Sequence, residues 1–104
     1  MAEREKRYRV EVWDQDEYIE AFLRLPDAQQ TRVSELMNDV LPYNPKIPIP
    51  GVLKRLKGRQ NHLWQFDCGK SPRLLYEIDE VEMLVAIVYL GEHPSWKKGG
   101  RVGG

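Results

Sequence analysis

Four prolines, Pro42, Pro45, Pro48 and Pro50, fall within nine residues and are closed by Gly51. Proline lacks a backbone donor and locks φ, so this segment is barred from helix and discouraged from the middle of a sheet. It reads as an extended connection. The chain is thereby split into two stretches, each with its own hydrophobic period.

Before the prolines the pattern turns helical. Tyr8-Arg9-Val10-Glu11-Val12-Trp13 alternates with period two and predicts a first strand. Asp14 or Asp16 then offers an N-cap, and Tyr18, Ile19, Phe22, Leu23 and Leu25 recur at helical spacing up to Pro26. Pro26-Asp27 suits the first turn of a second helix, with Val33, Leu36, Met37, Val40 and Leu41 as its apolar stripe. The two make an αα-hairpin.

After the prolines the period becomes that of strands: Val52–Lys57, His62–Cys68, Arg73–Asp79 and Met83–Gly91, separated by short turns that imply an antiparallel meander. The order β-α-α-β-β-β-β predicts an α+β fold, a twisted antiparallel sheet with the helical hairpin packed on one face. With 104 residues the chain has room for one such unit, residues 1–104, with flexible tails expected at 1–6 and 99–104.

Composition excludes several functions. One cysteine, Cys68, can form no internal disulfide and supplies no zinc spacing, so no metal or cofactor is implied and Cys68 reads as a small core residue. The longest apolar run, Met83 to Leu90, is too short to cross a bilayer and the first residues lack the apolar run of a signal peptide, so a cytoplasmic protein with no membrane partner is expected. Sixteen basic residues balance sixteen acidic ones, which argues against a general nucleic-acid coat. The balance is uneven: residues 1–49 carry seven Lys/Arg and ten Asp/Glu, residues 50–104 nine and six. A local basic face fits the second half.

Strand parity suggests where that face lies. Arg55 and Lys57 point together with Leu56 opposite; Trp64 and Phe66 are assigned to the core, leaving Gln65 and Asp67 outward; Leu74, Tyr76 and Ile78 are assigned to the core, leaving Arg73 opposite. Arg73 is then placed to join Arg55 and Lys57 on a concave face, or to pair with Asp67 or Glu77 across the sheet. Trp13, Met37 and Met83 are assigned to the core, and His62 to a loop edge.

Leu56-Lys57-Gly58, His62-Leu63-Trp64-Gln65-Phe66, Arg73-Leu74-Leu75-Tyr76-Glu77-Ile78-Asp79 and Tyr89-Leu90-Gly91-Glu92-His93, in that order and spacing, resemble the RelE/ParE superfamily of toxins. The resemblance implies a toxin of a type II toxin-antitoxin system: a ribosome-dependent mRNA endoribonuclease that inhibits translation and is neutralised by a cognate antitoxin protein. It leaves open a ParE-like inhibitor of DNA gyrase, and zero net charge keeps a non-catalytic binding module of the same fold in view.

Metal-independent RNA cleavage needs a base near the 2′-OH, cations for the phosphate and a proton source for the leaving oxygen. On the family pattern Arg55, Lys57 and Arg73 match the phosphate-binding positions and His93 the proton-transfer position, since histidine titrates near neutrality. Lys54 and Arg59 extend the RNA-binding surface, and Trp96 offers a ring on which a base can stack. Two departures stand out: Gln65 and Asp67 occupy a strand where active members carry a basic residue, and the usual C-terminal tyrosine is missing.

Overall fold

Alternation in the first strand is realised over Arg9–Val12 (β1), and the chain turns directly into a helix, Gln15–Arg24 (α1). Asp14 is the N-cap; its Oδ1 accepts the Glu17 N–H at 3.0 Å. Acidic residues in the first turn and Arg24 in the last complement the helix dipole. The carbonyls of Phe22 and Leu25 at the far end both accept from Gln30 Nε2, at 3.0 and 3.1 Å, so the next helix caps the first. That helix, Asp27–Glu35 (α2), opens after Pro26 and widens into a π-type turn over Leu36–Val40, where the Leu41 N–H reaches the Leu36 carbonyl. The computed structural model describes residues 5–69 and 72–92. His93, Trp96 and residues 99–104 lie outside them, as do the first four residues.

The remaining strands are Leu53–Arg55 (β2), Leu63–Asp67 (β3), Arg73–Asp79 (β4) and Leu84–Gly91 (β5), with a 3₁₀ turn at Gly58–Gln60. Positive φ at Gly58 suits a residue without Cβ in that turn. The sheet order is β1-β5-β4-β3-β2. The meander from β2 to β5 is antiparallel as expected, and the sheet as a whole is mixed, because β1 lies parallel to β5. The helical layer ends beside the start of β1, where Pro42 meets Arg7 and Tyr8, and the proline segment carries the chain to the opposite end of the sheet, where Leu53 lies in line with Leu90, so β2 runs opposite to β1. Three further reversals then align β5 with β1.

One face of the sheet carries the core. Val10 and Val12, Val85, Ile87 and Leu90, Leu74 and Tyr76, Trp64 and Phe66, and Leu53 pack against Tyr18, Phe22, Leu25, Val33 and Leu36 of the helical layer. The Trp64 and Tyr76 rings stack at 8°. Tyr76 Oη donates to the Pro45 carbonyl at 2.6 Å, which ties the proline segment to the core, and burial raises its pKa well above the usual value. The Pro42 carbonyl accepts from the N–H groups of Arg7 and Tyr8, fixing the same segment to the start of β1.

Four residues expected in the core or the helix stripe lie outside it. Trp13 is 66% exposed, since its parity is that of Arg9 and Glu11 and not that of Val10 and Val12. Ile19 and Leu23, one turn apart, look away from the sheet on the outer side of α1. Met83 sits in the β4–β5 turn with φ 51°, ahead of the first paired residue of β5. No helix among the described residues is long and apolar enough to cross a membrane.

Candidate nucleic-acid interface

β2 and β3 form a hairpin in register Leu53↔Phe66, Lys54↔Gln65 and Arg55↔Trp64. Within its tip, residues 54–59 carry Lys54, Arg55, Lys57 and Arg59, all exposed. None of the four forms an ion pair among the described residues. Arg55 Nε donates to the Asn61 carbonyl at 2.6 Å, which closes the hairpin over the 3₁₀ turn and fixes the base of the guanidinium. Lys57 is the extended residue just before that turn, and Arg59 lies within it.

Arg73 stands elsewhere. Leu53 is a core residue, so Arg55 has core-side parity and Lys54 faces the opposite side of the sheet. Arg73 flanks the core residue Leu74 and shares the Lys54 side. The expected grouping of Arg73 with Arg55 and Lys57 on one face is therefore corrected. Leu53 and Leu56 have opposite parities, and the face follows whichever of them enters the core: Leu53 is 1% exposed, while Leu56 lies half-buried beyond the strand end.

The second face has its own arrangement. Leu63, Leu75 and Ala86 form a buried apolar floor. Beside it Arg73 Nε lies 3.2 Å from Asp67 Oδ1 across the β3–β4 ladder, and Gln65 Nε2 donates to the same oxygen at 3.1 Å; Glu77, the other expected partner, lies on β4 itself, four residues from Arg73, and is paired with Leu63 and Ala86. The Arg73 side chain is only 16% exposed. Asp67 thus holds and partly neutralises Arg73, and Gln65 fixes the Asp67 carboxylate. His62 Nε2 approaches Glu77 Oε2 at 4.0 Å on an exposed edge, an approach with ionic character only when the imidazole is protonated.

Tyr89 joins this face for a reason that period-two counting misses. A bulge at Val88 lets Leu75 pair with Tyr89 while Tyr76 pairs with Ile87, so Leu90, not Tyr89, continues the core side. The Tyr89 hydroxyl donates to the Glu92 carbonyl at 2.6 Å, and its pKa is raised by burial first and by the carboxylates of Glu92 and Glu17 next. Cys68 is buried and its thiol is pushed up to about 12, so it is no nucleophile. No group of three or more His, Cys, Asp or Glu among the described residues is placed to hold a metal ion.

No family model matches the chain. No curated protein matches it by sequence. Solved structures do. The chain is similar to the RelBE2 toxin-antitoxin complex from Mycobacterium tuberculosis, with 22% identity, a TM-score of 0.60 and coverage of 83% of this chain and 98% of that one. The archaeal RelE-RelB complex from Pyrococcus horikoshii OT3 gives 24% identity and 0.57, covering 83% and 94%. The heterotetrameric YoeB-YefM toxin-antitoxin complex from Staphylococcus aureus gives 18% and 0.62, covering 84% and 98%. Two helices on a five-stranded mixed sheet are thus the fold of RelE-like toxins, and this chain has that fold.

Proposed function

We propose that the chain is the toxin of a type II toxin-antitoxin pair, a ribosome-dependent mRNA endoribonuclease held in check by an antitoxin and acting in the cytoplasm. The observation that carries this reading is the β2–β3 hairpin, where four exposed cations, without ionic partners among the described residues, gather on the fold of RelE-like toxins. Lys57 and Arg55 supply positive charge to the scissile phosphate, while Arg73, on the other face of the sheet, meets a neighbouring phosphate. His93 transfers the proton to the leaving 5′-oxygen, Lys54 and Arg59 hold the flanking phosphates, and Trp96 stacks on a base. Because the chain has zero formal net charge, long-range attraction to free RNA is weak, which suits a substrate presented by a larger particle.

A second reading has its own support. Asp67 occupies Arg73, and no basic side chain stands on β3. These favour a ParE-like inhibitor of DNA gyrase or a binding module without catalysis. One experiment separates them: express the wild type and His93→Ala under tight control and map mRNA 5′ ends in translating cells. Cleavage by the wild type that falls about 10²- to 10⁴-fold in the variant fits a positioned proton donor. Cleavage by both keeps the nuclease and moves the donor; cleavage by neither removes the nuclease.

A further inference from the structure

β1 pairs with β5 only from Leu84 to Ile87, and its last ladder bond runs from the Trp13 N–H to the Ile87 carbonyl. From Val88 to Gly91 the outer edge of β5 has no strand partner among the described residues. Unpaired strand edges expose backbone donors and acceptors that another extended segment can satisfy. Alongside this edge, between β5 and α1, runs a groove of about 760 Å³. Tyr18, Ala21, Leu25 and Leu90 give it an apolar floor.

Its rim is acidic. Asp14, Glu17, Glu20 and Glu92 line it against a single cation, Arg24, which lies 3.6 Å from Glu20. Gln29 lies at the α2 end, and its Oε1 is buried with no hydrogen-bond partner among the described residues.

We infer that this groove receives an extended, lysine- or arginine-bearing segment of a partner protein, which adds to β5 as a further strand at Val88–Gly91. Backbone pairing to the open edge supplies affinity without regard to sequence. Side chains on alternate sides then select: apolar ones meet the floor, and cations meet the carboxylate rim. The opposite charge preference of the β2–β3 hairpin keeps the two surfaces distinct, so a cationic segment is repelled there and drawn here. That the partner is an inhibitor rests on the toxin reading above; the groove itself does not.

The test pans a phage-displayed library of random 12-residue peptides on the full chain, then measures synthetic copies of the enriched peptides by fluorescence anisotropy. Enriched peptides are expected to alternate Lys/Arg with apolar residues and to add amide protection from hydrogen exchange at Val88–Gly91. Binding is expected to weaken at least tenfold in Ala21→Trp, which fills the floor. It should weaken similarly in the double variant Glu17→Lys, Glu20→Lys, whose substitutions are exposed and keep the test valid if the tryptophan disturbs folding.

No cationic enrichment, binding indifferent to both variants, or protection gained elsewhere overturns the proposal. So does protection at Val88–Gly91 already present in the isolated chain and lost on deleting residues 93–104, which makes the chain's own segment the occupant. Growth arrest is scored separately. Peptide binding without arrest overturns the toxin reading and keeps the groove, whereas arrest without cationic strand peptides does the reverse.

Discussion

Arg73 and Asp67 face each other across β3 and β4 with Nε and Oδ1 3.2 Å apart, so the cation proposed to meet phosphate is already held by a carboxylate. Asp67→Asn removes the charge and keeps an acceptor. Affinity for a single-stranded RNA oligonucleotide is expected to rise several-fold, with a steeper salt dependence, in an anisotropy titration. Unchanged affinity would place Arg73 away from phosphate. Arg73→Ala is expected to lower stability by roughly 1 kcal/mol, the low end of the cost of orphaning a charge partner, because Asp67 retains some access to water.

The hairpin cations predict a graded effect. Changing Lys54, Lys57 or Arg59 singly to Gln should flatten the slope of log affinity against log salt by about 0.7 for each phosphate no longer neutralised on single-stranded RNA. Urea midpoints should stay put for these three, since they form no ion pair among the described residues. Arg55→Gln also removes the donor to Asn61 and should cost about 1 kcal/mol besides. A slope unchanged across the whole series would take RNA off this hairpin.

Cys68 sets a limit at alkaline pH. Burial is the main cause that lifts its thiol from 9.0 to about 12, with the Asp67 carboxylate adding to it. A group neutral in the fold and ionised in the unfolded chain contributes stability fully below pH 9.0, and that contribution drains away as pH rises toward about 12. Native protein at pH 8 should react with a thiol reagent only as fast as it unfolds. Prompt reaction in the absence of denaturant would contradict the burial.

At the opposite corner, Glu80 Oε1 accepts from Tyr8 Oη at 3.0 Å and Glu80 Oε2 lies 2.7 Å from Lys46 Nζ. These partners, Lys46 first and Tyr8 second, hold the Glu80 pKa below its ordinary value. The stability they confer is present above the unfolded carboxylate pKa and is lost as pH falls through the folded one. The difference between wild type and Glu80→Gln, read from urea midpoints, should therefore shrink on acidification and in high salt. A difference that grows under acid would reverse the assignment.

Much of this architecture is written locally. The Asp14 cap, the breaks at Pro26 and Pro42, and the alternations of β1 and β4 require only neighbours in sequence, and the elements fall where those signals lie. Faces are harder. In Leu53-Lys54-Arg55-Leu56 two leucines of opposite parity compete, and only the packing of Leu53 beside Phe66 decides between them. The Val88 bulge changes the parity of everything after it with no glycine or proline to announce it. Arg73 and Asp67 are readable as a possible pair, but whether Arg73 stands opposite Asp67 or Gln65 depends on the β3–β4 register, which side-chain pattern alone leaves free to slip by two residues.

The parallel pairing of β1 and β5 joins residues 75 positions apart, Arg9 with Leu84 and Val10 with Val85. During synthesis the first strand emerges long before its only neighbour in the sheet. Until Ile87 has left the exit tunnel, β1 has no ladder to enter, and closing so long a loop is among the slower steps open to a small domain. The sheet is thus completed only once nearly the whole described chain is free of the ribosome, and any partner that captures β1 early would intercept the chain before it is a finished protein.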